Sequence, residues 1–268
     1  MTALFGSLIQ ADLILLWAVL FLLLATAGEC GFRLERWRTA RRTAPEPERS
    51  GISTVTASMF ALLAFTLGLT ISFAQSRFEA RRDLVVQEAN SIGTAWLRAR
   101  LVGDQEGPAI ATLIEDYAKV RLGYTAEDRE DEIPGLLART GALQTQMWHL
   151  ATDLARRTPT PISASLIAAL NDMFDASLAQ RFAFTARVPQ SLEWTLLGGS
   201  LLAVGAMGYQ LGATGSRQTV LSVLSLLMWA GAMVLIVDFD RARLGTIRVD
   251  PAPLVWTMQG FGSPGPAR

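Results

Sequence analysis

Four stretches of this chain run without a charged residue for close to the length a helix needs to cross a bilayer, on the order of 20 residues. They are Leu13–Gly28, Thr54–Gln75, Trp194–Ser216 and Gln218–Val237. No single feature constrains the fold more. Hydrocarbon offers no partner for a backbone N–H or C=O, so a segment of this kind must satisfy its own hydrogen bonds and be helical. The average composition of the 268 residues, 50% hydrophobic with no net charge, conceals this segregation of apolar runs from charged blocks. The pattern predicts an all-α membrane protein: four transmembrane helices in two pairs, with a helical extramembrane insert between the second and third spans.

The first run is slightly short, and uncharged residues ahead of Asp12 can supply the missing turn. Ala25-Thr26-Ala27 has the small-residue form of a signal-peptidase site, but no Lys or Arg precedes the run, so a retained span is expected. Residues 1–28 are therefore read as the first span with its N-terminal segment, and 29–53 as an arginine-rich loop made extended by Pro45 and Pro47. The second span is 54–76, the insert 77–190, the hairpin of the third and fourth spans 191–238, and the C-terminal tail 239–268. Gly208 and Gly212 form a G-x-x-x-G pair in the third span, a device for close backbone approach within lipid.

On the second span Thr54, Ser58, Ala61, Phe65, Gly68, Ser72 and Gln75 share one helical stripe. Such a stripe serves either as a seam between helices or as the wall of a narrow wet pathway narrowed by Phe65 or Phe73. The span then passes without a breaker into the charged segment holding Arg77, Arg81, Arg82, Glu88 and Asn90. Beyond GDQEGP, helical spacing predicts three amphipathic helices. The first buries Ile110, Leu113, Ile114, Tyr117 and Val120, and the second Leu143, Met147, Leu150 and Leu154. The third, capped by Ser163 or Ser165, buries Leu166, Leu170, Met173 or Phe174, and Leu178, and carries Asn171 and Asp175 on its polar side. After the fourth span come the membrane-edge residues Asp238, Asp240 and Arg241, a β-prone GTIRV piece and a proline-rich end.

Charge and composition exclude several functions. Equal numbers of basic and acidic residues, 24 each, give no footprint for nucleic acid. With Cys30 as the only cysteine and His149, off its helix's apolar stripe, as the only histidine, neither a disulfide nor a usual metal site is expected, and no cofactor. No G-x-S-x-G, HExxH, P-loop or CxxC motif marks an enzyme. The arginines of the first loop place that loop in the cytoplasm by the positive-inside rule. Arg77, Arg81, Arg82, Arg181, Arg187, Arg241, Arg243 and Arg248 weigh for the other side, so the count leaves orientation open.

The segments LTISFAQSRFEARRDLVVQEANSIGTAW, LNDMFDASLAQRFAFTARVP and VDFDRARLGTIRVDPAPL resemble the bestrophin-like domain family of bacterial multi-pass membrane proteins. The Glu88-Ala89-Asn90 triplet together with the D-x-D-R of Asp238–Arg241 carries most of the likeness, although Ala242 stands where members often have proline. That family is distantly similar to bestrophins, pentameric anion channels whose span-linked domain and termini are cytoplasmic. The resemblance implies a homo-oligomer in the cell's inner membrane, a pentamer by analogy, with the lipid bilayer and inorganic anions as partners. Two accounts of the charged junction stand open. In one, the second span lines a pore and Arg77 and Arg81 form a basic ring at its mouth. In the other, Arg77, Arg81, Glu88, Asp175 and Asp238 form an ion-paired collar in a non-conducting structural or sensory module.

Overall fold

A computed structural model describes residues 13–41, 50–103, 105–127, 129–241, 243 and 246–262. The described residues form helices and connections, with no strand among them. In chain order the helices are α1 (Leu13–Ala40), α2 (Ser50–Leu101), α3 (Glu106–Ala126), α4 (Ile133–Arg157), α5 (Pro161–Thr185), α6 (Gln190–Thr214), α7 (Thr219–Asp240) and α8 (Ala252–Gly260). Four helical stretches are long and apolar enough to cross a membrane: Leu13–Ala40, Gly51–Leu101, Pro161–Thr214 and Thr219–Asp240. The chain divides into two compact units, one of Met1–Ser76 and Arg187–Arg241, the other of Arg77–Ala186 and Ala242–Arg268. The 52-residue α2 contributes to both.

In the membrane unit α1 lies against α6 and α7. The small residues set that approach. A methyl group at Gly31 would overlap the carbonyl oxygen of Gly205, and one at Gly208 would overlap that of Gly28. A methyl at Gly212 would sit 2.8 Å from the carbonyl oxygen of Phe32. The partner of the G-x-x-x-G pair is thus the first span. Lipid tails are as apolar as leucine, so helices in this setting associate through such close packing rather than through the hydrophobic effect. The apolar half of α2 buries Thr56, Leu63, Leu67, Thr70 and Ala74, and its Phe60 ring meets Trp229 of α7 edge-on at 5.9 Å. Trp229 donates through Nε1 to Ser200 Oγ at 2.8 Å, fixing α7 to α6. Gly215 ends α6 in the left-handed region at φ 74°, a backbone conformation that strains residues with a side chain, and α7 starts four residues later.

The second unit has one apolar core. Val85, Ala89, Ile92, Ala95 and Ala99 of α2 meet Ile110, Ile114 and Tyr117 of α3, Met147 and Leu154 of α4, Leu166, Leu170 and Met173 of α5, and Leu254 of α8. Trp96 stacks on Phe261 at 5.1 Å and donates to Glu115 at 2.9 Å.

Four expectations need correction. Residues 29–40 are helix, not loop, because Glu29 pairs with Arg33 one turn on at 2.7 Å and Gly31 packs into α6 instead of breaking α1; Pro45 and Pro47 lie outside the described residues. The N-cap of α5 is Thr160, which accepts from the Ser163 backbone while the Ser163 hydroxyl accepts from the Thr160 backbone. Leu178 is 64% exposed rather than core. Beyond Arg241 the tail is part of the second unit: Val249 and Leu254 are buried in its core, and α8 packs on α3 in place of a β-prone piece and a proline-rich end.

Gly31→Ala and Gly208→Ala should each lower the melting temperature of the detergent-solubilised protein, while Gly198→Ala, with open space around it, should leave it unchanged. Circular dichroism melts check the contrast.

Candidate functional site

Every member of the second-span stripe, Thr54, Ser58, Ala61, Phe65, Gly68, Ser72 and Gln75, is exposed in the chain, opposite the face that α2 buries. Phe65 is 65% exposed and Phe73 43%, and Gly68 has open space where a side chain would be. The helical repeat carries the stripe past the span to Glu79, Arg82, Val86 and Asn90, all exposed.

The three arginines of the junction separate by burial. Arg81 is 1% exposed. Its Nε donates to the Ala183 carbonyl at 3.0 Å and its Nη2 to the Ala186 carbonyl at 2.8 Å. These carbonyls end α5, where acceptors lack intrahelical donors and the helix dipole is negative, so a guanidinium satisfies both. Arg77 is half-buried, and Arg82 alone of the three is exposed.

Glu88 follows Arg81 by two turns and is completely buried. It accepts from Arg121 of α3, Nε to Oε1 at 2.5 Å and Nη2 to Oε2 at 3.3 Å. Arg121 Nη2 also donates to Gln180 Oε1 of α5, and Gln180 Nε2 passes the chain on to Thr125 Oγ1 at 3.1 Å. The guanidinium lies 4.4 Å from the Tyr124 ring centre. Burial works against the Arg121 charge, but Glu88 beside it outweighs that cost and holds the pKa above its ordinary value. Tyr117, one turn before Arg121, has its phenol pushed up to about 12, first by burial and then by the Glu88 charge.

Asp240 lies in the membrane unit and holds the chain entering α6: its Oδ1 accepts from the Val188 backbone at 2.7 Å and its carbonyl from Arg187 at 3.0 Å. Asp238 and Arg241 are buried in the same unit. Asn171 and Asp175 are exposed on α5. The structure therefore brings Glu88 to Arg121, a residue the sequence reading passed over, and gives Arg81 two carbonyls. Asp175 joins neither group. A signal for Arg121 existed: it falls on the helical face of Ile110, Ile114 and Tyr117, and a charge on an apolar stripe calls for a buried partner.

Glu88→Ala leaves the Arg121 charge buried and unpaired and should destabilise the fold by about 3–5 kcal/mol, against a smaller loss for Glu88→Gln; denaturant unfolding of the solubilised protein measures both. A raised Tyr117 pKa means folding favours the neutral phenol. That stabilisation is complete below the ordinary tyrosine pKa of about 10 and lost as the pH rises through about 12. Ultraviolet titration should show one late-ionising phenol, absent in Tyr117→Phe.

A family model described as bestrophin-like domain matches residues 16–254. No curated protein matches. Solved structures of a bacterial bestrophin homologue from Klebsiella pneumoniae share the fold. One is 15% identical, with 93% of this chain and 96% of that chain covered at a TM-score of 0.64. A point-substituted form is 14% identical, with 94% and 96% covered at a TM-score of 0.68.

Proposed function

The chain belongs to the bestrophin-like domain family, and from that membership we propose that it assembles as a homo-oligomeric ion channel of the inner membrane, passing small inorganic anions through a pore lined by its second span. The observation that carries this reading is the exposure of one whole stripe of α2. A span that packs one face inside its own chain and turns small, hydroxylated and aromatic residues outward has the composition of a narrow wet wall rather than of a lipid-facing surface. Copies of α2 around a symmetry axis, a pentamer by family likeness, would make a ring of Phe65 or of Phe73 the constriction, with Ser72 beside Phe73 and Gln75 nearer the polar mouth. Arg82 supplies the positive charge at that mouth.

The basic ring is narrower in this proposal than Arg77 and Arg81 together would make it. Arg81 is committed to the end of α5, as Glu88 is to Arg121, and both serve to hold the insert. Asp238, Asp240 and Arg241 act as a structural clip on the third and fourth spans. A second reading, a cation-passing channel, is favoured by one observation: Glu79 and Asp83, both exposed, flank Arg82 on the continuation of the stripe. Family membership speaks for a channel rather than an enzyme.

Liposomes containing the purified protein should carry chloride above background, and Phe65→Ala or Phe73→Ala should raise the flux severalfold. In a salt gradient, Arg82→Gln should move the reversal potential away from the chloride equilibrium. A reversal potential at the sodium value selects the cation reading. No flux of either ion in either polarity leaves the non-conducting module.

A further inference from the structure

Outside the membrane unit, a cavity of about 290 Å³ opens between α3, α4 and α5. Its polar wall consists of Arg121, Thr140, Gln144, Asp175, Ser177 and Arg181. Asp175 and Arg181 are exposed and form the mouth; Arg121, Thr140 and Ser177 are buried and form the inner end. Arg121 is 1% exposed yet reaches this wall. Its Nε and Nη2 are committed to Glu88 and Gln180, and its Nη1 makes no hydrogen bond among the described residues. Nη1 thus keeps two N–H groups available to an acceptor in the cavity that Arg121 lines.

Neighbouring groups narrow what that acceptor is. The Gln144 amide nitrogen already donates to Ser177 Oγ at 3.0 Å, and the Thr140 hydroxyl to the Leu136 carbonyl at 2.8 Å. Their oxygens therefore turn acceptor lone pairs towards any guest, and the donors left for an anion are the two guanidinium groups, Arg121 within and Arg181 at the mouth. Guanidinium groups match the planar, two-oxygen shape of a carboxylate. The volume lies at the low end for ligand pockets and suits a compact molecule rather than a nucleotide. We infer that this cavity binds a small organic carboxylate between Arg121 and Arg181. Asp175, also at the mouth, additionally accepts from a ligand whose far end carries an amine. The inference does not depend on ion conduction, since it concerns a site within the insert of a single chain.

Equilibrium dialysis of the full-length protein in detergent with labelled acetate tests it at constant ionic strength. Expected is saturable uptake of about one acetate per chain, displaced by unlabelled acetate and by glycine but not by acetamide. Arg181→Gln, a change at an exposed residue that spares the fold, should weaken the affinity about tenfold, the size of one lost charge-assisted contact. Absence of saturable uptake, equal displacement by acetamide, or unchanged affinity in Arg181→Gln would each overturn the assignment; the last would place the bound acetate elsewhere. The flux assay reports on the pore separately, so either result stands without the other.

Discussion

The pairing of Glu88 with Arg121 is the interaction on which the helical unit depends. Burying either ion alone carries a penalty of several kcal/mol, which only a close, hydrogen-bonded partner offsets. The two residues come from different helices, and Gln180 joins from a third, so the charge requirement can be met only when α2, α3 and α5 have docked in one register. An apolar core of alanines and leucines tolerates small slips, whereas a buried guanidinium fork does not. The same requirement organises the surroundings. Tyr124 lies against the guanidinium face, burial and then the Glu88 charge hold the proton on Tyr117, and Gln144 is oriented by Tyr117 and Ser177.

The membrane unit meets a different constraint with different residues. Where burial from water supplies no drive between helices, specificity comes from how closely backbones can approach. Gly28, Gly31, Gly208 and Gly212 remove side chains along the line where α1 and α6 meet. Two polar contacts in this unit tie separate segments together: Trp229 to Ser200, and Asp240 to the backbone where the chain enters α6. A carboxylate at the end of α7 thereby fixes the start of a helix distant in sequence.

Much of this was legible in the sequence, in proportion to how local its cause is. The four spans follow from uncharged runs, and the helices of the insert from three-and-four spacing that depends on no partner. The exposed stripe followed from the same spacing, although its exposure did not. What stayed hidden depends on tertiary contact. Residues 29–40 are polar and contain glycine, and only the surface of α6 makes that glycine an asset to a helix. Thr160 and Ser163 are equivalent cap candidates until the register of α5 is known. Arg121 reads as one more surface charge unless the apolar stripe beneath it is taken at its word. The β-prone GTIRV piece has no neighbouring strand to pair with among the described residues, and Leu254 finds a helical core instead.

Burial sorts the residues of α2 more sharply than their chemistry does. Arg77, Arg81 and Arg82 are chemically alike and nearly adjacent, yet Arg81 faces the end of α5, Arg77 is half-covered, and Arg82 faces outward. A helix turns about 100° per residue, so neighbouring positions cannot share one task. The period that points Phe65 and Gln75 out of the chain also points Arg82 and Asn90 out, while Arg81 and Glu88 turn inward. One unbroken helix can therefore present an outward line of residues and still bury its opposite face against its neighbours. The inward charges are engaged by the fold, Arg81 by two carbonyls and Glu88 by Arg121, whereas the outward ones face away from it. On α2, Glu79, Arg82 and Asp83 belong to the outward line, and the conspicuous pair Arg81 and Glu88 binds the helix to its neighbours in the insert.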